Sequence, residues 1–256
     1  MNEWSIGVMG DPHGHYSETL KLLKETGFIN DRLQWTGGER TLICVGDYVD
    51  RGPEGLKVID LLMKLQEEVG AERVQALLGN HDVLLLSAYH FKDEPSGGPG
   101  GTFYQDWLIN GGVPEELDQL TSRQMGWLSK LPAMTVLGNR LIAHVDSTLY
   151  LEYGKTLDEV NSAFREILSG RNSDQWDVLL ERFSDRLAFY HHPYLLAGFL
   201  ETFGGTQFIH GHTPIAYMDE QTQTAPYVYA GGKAVNVDAC AYNGNPLAMY
   251  PYKGKP

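Results

Sequence analysis

"SIGVMGDPHGHYSETLKLL", residues 5–23, runs from a short apolar stretch through a polar turn into a helical pattern. Ile6 to Met9 suits a buried strand, and Leu20, Leu22 and Leu23 suit a helix near 17–26. Between them stand Asp11 and His13, one residue apart and flanked by two glycines. Side chains two apart on an extended segment project the same way, so this pair can grip one ion. It can equally cap the helix that follows, and the rest of the chain has to decide between these roles.

The strand-turn-helix order recurs. A strand over 41–45 leads to a helix over 53–68, in which Leu56, Ile59, Leu62 and Met63 return at helical spacing and Pro53 suits the first turn. A strand over 74–78 runs into a helix from about His81. This β-α-β-α-β pattern predicts parallel strands joined by crossovers. KDEPSGGPGG at 92–101 is a loop by composition. A helical pattern resumes over 103–131, broken at NGG (110–112) and Pro114. A strand over 141–145, a mostly helical stretch over 156–200, and strands over 207–210 and 235–237 follow. No repeat or linker stands out. The expectation is a single α/β domain over 1–256, with 90–135 as an inserted cap.

The bulk properties narrow the function. A chain of 256 residues can bury a sizeable core without disulfides, and its two cysteines, Cys44 and Cys240, sit in apolar runs as buried thiols do. A net charge of −13 argues against nucleic acid as the main partner, because phosphate backbones need clustered Lys and Arg. No secretory leader opens the sequence and no apolar run is long enough for a bilayer, so a cytoplasmic protein without membrane partners is expected.

The polar residues of interest gather where predicted strands end. After the first strand comes GDPHG, after the second GDYVDRG (46–52), and after the third GNHD (79–82). The fourth ends in AHVD with His144, and the fifth in GHTP with His212. In an open parallel sheet, sites form beyond the carboxyl ends of the strands. Imidazole, carboxylate and amide oxygen are donors for manganese, iron or zinc, and no cysteine joins them. Six such residues are too many for one ion that must also hold substrate, and about right for two ions sharing a carboxylate.

Taken together, GDPHG, GDYVDRG, GNHD, a later His after a strand and GHT resemble the motif series of the calcineurin-like metallophosphoesterases. The DRG form is similar to the phosphoprotein phosphatase branch, which includes serine/threonine phosphatases and symmetrical diadenosine tetraphosphate hydrolases. The motifs span residues 10–213, in the family's order. The resemblance implies an α-β-β-α sandwich with a dinuclear metal site at the C-terminal ends of the strands. It implies that Asp11 and His13 bind one metal, that Asp47 bridges, and that Asn80, His144 and His212 complete the second. His81 would be the general acid with Asp50 orienting it, and Arg51 would hold two phosphate oxygens, for which a planar fork suits. A metal-bridging hydroxide would attack phosphorus directly. Manganese is the expected ion, with iron, zinc, nickel, cobalt and magnesium compatible with the same donors.

A second phosphate-binding arginine is expected between the fourth and fifth motifs, where Arg165, Arg171, Arg182 and Arg186 compete and Arg186 is favoured by its neighbours and spacing. Pro12 and the Asp of GNHD depart from the commoner family residues, but neither is a ligand position. Asp146 and Asp238 are read as holding metal-bound imidazoles, His210 as pointing into the sheet, and Phe103, Tyr104 and Trp107 as cap core. The expected function is a phosphomonoesterase acting on phosphoserine or phosphothreonine proteins or a small phosphoester. Hydrolysis of a dinucleoside polyphosphate is the alternative, and a catalytically inactive binding scaffold a third, disfavoured because no ligand position is missing.

Overall fold

IGVM and TLIC, the first two apolar runs, are buried at every position, which is what a central strand covered on both faces requires. The structure, a computed structural model, describes residues 4–219 and 225–254. β1 (Ile6–Met9), α1 (Tyr16–Glu25), β2 (Thr41–Cys44), α2 (Gly55–Val69), β3 (Val74–Ala76) and α3 (Asn80–Phe91) alternate as predicted. Three helices follow: α4 (Phe103–Ile109), α5 (Pro114–Gln119) and α6 (Ser122–Leu128). β4 (Met134–Leu137) pairs antiparallel with β5 (Arg140–Ala143). Then come α7 (Tyr150–Tyr153), α8 (Leu157–Ser169), α9 (Ser173–Phe183), α10 (Ala188–His191) and α11 (Pro193–Phe203). β6 (Gln207–His210), β7 (Tyr227–Tyr229), β8 (Ala234–Asn236) and β9 (Met249–Tyr252) complete the α-helices and strands among the described residues, with short 3₁₀ turns at Ile215–Tyr217, Ala230–Gly232 and Ala241–Asn243. Thr102, Thr121 and Thr156 start α4, α6 and α8 by accepting the backbone N–H three residues on.

The strands form two sheets, ordered β3-β2-β1-β9 and β4-β5-β6-β8-β7. β1, β2 and β3 run parallel, as do β5, β6 and β8, so the motif-bearing loops leave each sheet at one end. Between the sheets lies a dry layer to which both contribute: Ile6, Val8, Ile43 and Val45 from one side, Ile142, Ile209, Val235 and Val237 from the other. The outer faces carry the larger core, in which α2 and α3 bury Val58, Ile59, Leu62 and Leu85. α3 in turn packs against α4 and α9.

Some expectations need correction. Pro53 lies outside α2, which begins at Gly55 with Glu54 before it. The fourth predicted strand stops at Ala143, so His144 stands in the loop beyond it. β4, β7 and β9 are absent from the sequence reading, and each is an edge strand with an incompletely buried pattern. β9 also contains Pro251, which a strand tolerates only at an edge. Residues 90–135, expected as an inserted cap, run from the end of α3 through α4, α5 and α6 to the start of β4.

Candidate metal centre

The loops after β1, β2, β3, β5 and β6 meet around Asp47. Its Oδ2 lies 3.4 Å from His13 Nε2 and its Oδ1 lies 3.2 Å from His144 Nε2. His144 Nε2 is also 3.0 Å from Asn80 Oδ1, and the same amide oxygen is 2.8 Å from His212 Nδ1. Asp11 joins through its Oδ2, which accepts the backbone N–H of His212 at 2.6 Å. Among the described residues, two groups bring potential ligand atoms within 4.8 Å of one another: His13, Asp47 and His81, and Asp47, His144 and His212. Asp47 belongs to both.

Backbone geometry makes these approaches feasible and costs something. A Cβ at Gly79 would fall 2.2 Å from Asp47 Oδ1, and one at Gly211 would fall 2.0 Å from Asp11 Oδ1, so only glycine lets these loops close on the carboxylates. His13, Asp47, Asp50, Arg51 and His212 all adopt positive φ, between 41° and 67°. Such conformations cost about 1–3 kcal/mol each in non-glycine residues and concentrate at functional sites.

The imidazoles are oriented by groups that only accept. His13 Nδ1 faces the Val49 carbonyl at 3.1 Å and His144 Nδ1 faces the Val45 carbonyl at 3.0 Å. A carbonyl needs a donor, so the proton sits on Nδ1 and Nε2 turns toward Asp47. Acceptors therefore converge on acceptors. Burial works to raise Asp47, but the His144, His81 and His13 imidazoles overcome it and hold its carboxyl well below the usual range. Burial opposes protonation of His144, but the Asp47 carboxylate outweighs it and raises that imidazole. Burial holds His13 down, and burial together with His144 and Arg186 holds His212 down. Asp11 is driven up by burial and by the neighbouring Asp238 and Asp47 carboxylates. Asp11 Oδ1 and His212 Nε2 are buried without a hydrogen-bond partner. Unpartnered lone pairs facing carboxylates are a donor set for divalent cations, and these residues fit two.

Beside this cluster, His81 Nδ1 lies 2.8 Å from Asp50 Oδ2. The Arg51 guanidinium, a donor only, reaches His13 Nε2 at 2.9 Å and His81 Nε2 at 3.0 Å. Asp11, His13, Asp47, Asn80, His144, His212, His81, Asp50 and Arg51 thus form one connected group. Arg186 stands apart from it on an exposed segment, though its charge is felt at His212.

Sequence matching places residues 5–216 in a single family profile, described as calcineurin-like phosphoesterase. The chain belongs to the calcineurin-like phosphoesterase family. Its curated relatives match locally. A symmetrical bis(5'-nucleosyl)-tetraphosphatase from Buchnera aphidicola is 40% identical over 85 residues, 33% of this chain and 27% of that protein. Shewanella-like protein phosphatase 2 from Arabidopsis thaliana is 34% identical over 79 residues, 30% of this chain and 20% of the relative. The matched stretches therefore span under a third of those relatives' length. Among solved structures, a cold-active protein tyrosine phosphatase superposes with a TM-score of 0.72 at 21% identity, covering 97% of this chain and 73% of its own. A serine/threonine phosphatase from Saccharomyces cerevisiae gives 0.60 at 16%, covering 98% and 80%. At such identities the likeness is one of fold.

Within this family fold, several residues have contacts that the motif reading did not assign. Asp82 accepts the backbone N–H groups of Asp47, Tyr48 and Gly79 at 3.0, 3.0 and 2.8 Å, tying the second motif to the third. Its signal was in the sequence: an acid three residues after a helix start is half of a capping box. Trp107, read as cap core, donates its indole N–H to Asp50. Tyr242 packs edge-on against His13. Asp146 does not hold His144; it accepts the Phe189 N–H and the Tyr229 hydroxyl instead. Asp238 accepts the Cys240 N–H rather than an imidazole. His210 is buried in the sheet against the Tyr229 hydroxyl, as read. Cys44 and Cys240 are buried free thiols, and no helix among the described residues is long and apolar enough to cross a membrane.

Proposed function

We propose that the protein is a dinuclear-metal phosphoesterase that hydrolyses phosphomonoesters, phosphoserine or phosphothreonine in proteins being the leading substrate class. The observation that carries this reading is the sharing of Asp47 between two buried groups of potential ligands, with the Arg51 guanidinium within hydrogen-bond reach of His13 and His81. Asp11 and His13 would hold one ion, Asn80, His144 and His212 the other, and Asp47 both. Two divalent ions at such a site supply Lewis acidity toward phosphoryl oxygens and lower the pKa of water. Manganese is the ion favoured for this N and O donor set, and zinc fits the same ligands.

The chain's own residues do the rest. Arg51 presents two N–H groups in one plane, matching two phosphate oxygens. Once a bound phosphate takes up the Arg51 N–H groups, His81 Nε2 is free to carry a proton to the leaving oxygen, while Asp50 keeps its Nδ1–H in place. Arg186 adds a second positive group at the rim. A second reading, hydrolysis of a dinucleoside polyphosphate, is favoured by the 40% local identity to the Buchnera tetraphosphatase. The test is phosphate release by metal-stripped protein after manganese is restored, with a phosphothreonine peptide and diadenosine tetraphosphate in parallel. Turnover of the peptide with little on the dinucleotide supports the phosphomonoesterase; the reverse selects the second reading.

A further inference from the structure

Asp50 is held from two sides. Its Oδ2 is 2.8 Å from His81 Nδ1, and its Oδ1 accepts the indole N–H of Trp107 at 2.7 Å. Trp107 lies on α4 and is fully buried. The turn after α4 reaches the next residue of the same motif, because the Gly111 carbonyl accepts the Arg51 N–H at 2.7 Å. Gly112 passes so near the indole that a Cβ there would lie 2.3 Å from the ring. One helix and its turn therefore grip Asp50 by the side chain and Arg51 by the backbone. Both residues have left-handed backbones, with φ of 67° and 66°, which persist only where the surroundings over-determine them.

A carboxylate bonded through one oxygen alone can swing about its Cβ–Cγ bond and carry the imidazole with it. A second bond on the other oxygen removes that freedom. We propose that Trp107 is a positioning residue for the general acid: its indole N–H fixes Asp50, and Asp50 fixes the His81 imidazole. The inference rests on the reading of His81 as the acid. As the bond from phosphorus to the leaving oxygen breaks, its electron pair stays on that oxygen, which takes the proton from His81 Nε2. The new bond to phosphorus comes from water, whose proton passes to solvent, and solvent reprotonates the imidazole.

If the indole served packing alone, its loss would slow every substrate alike. Misplacing an acid instead hurts esters whose leaving oxygen needs a proton and spares those that depart as a stable anion. The experiment uses the manganese-loaded full chain with a phosphothreonine peptide and p-nitrophenyl phosphate. Trp107→Phe removes the N–H, and 3-benzothienylalanine at 107 replaces it with sulfur at nearly unchanged shape, covering a Phe variant that fails to fold. The expected result is a kcat about tenfold or more lower on the peptide and within about threefold on the nitrophenyl ester, with KM and manganese content unchanged. In metal-free protein, the Trp107 indole N–H resonance should shift in Asp50→Asn. His81→Asn is measured alongside. If it shows the split and both Trp107 variants do not, positioning by Trp107 is overturned and the acid stands. If His81→Asn slows both substrates equally, or the unaltered protein turns over neither, the acid reading falls and Trp107 with it.

Discussion

The Arg51 guanidinium carbon lies 4.1 Å from the centroid of the Tyr242 ring. The same ring meets His13 edge-on at 5.3 Å. Tyr242 belongs to a short 3₁₀ turn, Ala241–Asn243, beyond β8, far in sequence from the GDYVDRG motif that supplies Arg51. It forms a floor beneath the arginine and limits where the guanidinium can point.

Replacing Tyr242 by Ala should loosen the arginine without emptying the metal centre. A cation-π contact at a partly exposed site is worth about 0.5–1 kcal/mol, so KM for p-nitrophenyl phosphate should rise about two- to fivefold. Tyr242→Phe, which keeps the ring face, should stay near the parent. Steady-state kinetics on the three proteins checks both expectations.

Asp47→Asn should remove both ions together, because one carboxylate is common to the two ligand groups. Elemental analysis after dialysis against manganese should find little metal, and phosphate release should fall close to background. Loss of one ion with the other retained would contradict a bridging role.

Asp82→Ala should cost stability before it costs chemistry. The substitution strips three buried backbone N–H groups of their acceptor. Unsatisfied buried donors cost about 1–3 kcal/mol each, so the denaturant midpoint should drop by an amount equivalent to at least about 3 kcal/mol. Equilibrium unfolding in urea measures it.

Glu116 should make stability depend on pH. It lies in α5, 5% exposed, and its Oε1 accepts the Leu56 N–H at the start of α2. Burial pushes its carboxyl from 4.5 up to about 7. Between these values the folded protein keeps a proton that the unfolded chain releases, so stability falls as pH rises through the window and levels off above it. The Glu116→Gln variant should lack this component, and the difference between the two proteins should reach at most about 3 kcal/mol. Urea midpoints from pH 4 to pH 8 test the sign.

The interior of the fold was readable because interior strands announce themselves. IGVM and TLIC are apolar throughout, and the turns after them open on Gly10 and Gly46, where a Cβ would strike the Val237 carbonyl oxygen and the Gly79 backbone nitrogen. The edges were not readable for the converse reason. MTVL, YVY and MYPY face solvent on part of their surface and present no uniform run. At the candidate metal centre, the clustered Asp, His and Asn side chains sit inside short motifs at strand ends, so residue type and place pointed to them, and the family resemblance supplied their expected roles. Trp107, Tyr242 and the Gly111 carbonyl act from distant segments on residues of one motif, and only the packing of α4 and the turn after β8 brings them there.

The partner of β1 on its outer side is β9, with Ile6 opposite Tyr252 and Met9 opposite Met249. Ser5 and Gly254 clasp the pair through the serine hydroxyl. During synthesis the strand that leads into Asp11 and His13 therefore waits for residues made more than two hundred positions later. Until they leave the ribosome, β1 has one row of unpaired backbone groups, an invitation to strand addition by another chain. Nascent chains halted before Met249 should accordingly be prone to aggregation and be recognised by chaperones, whereas a chain released through Tyr252 closes its own edge.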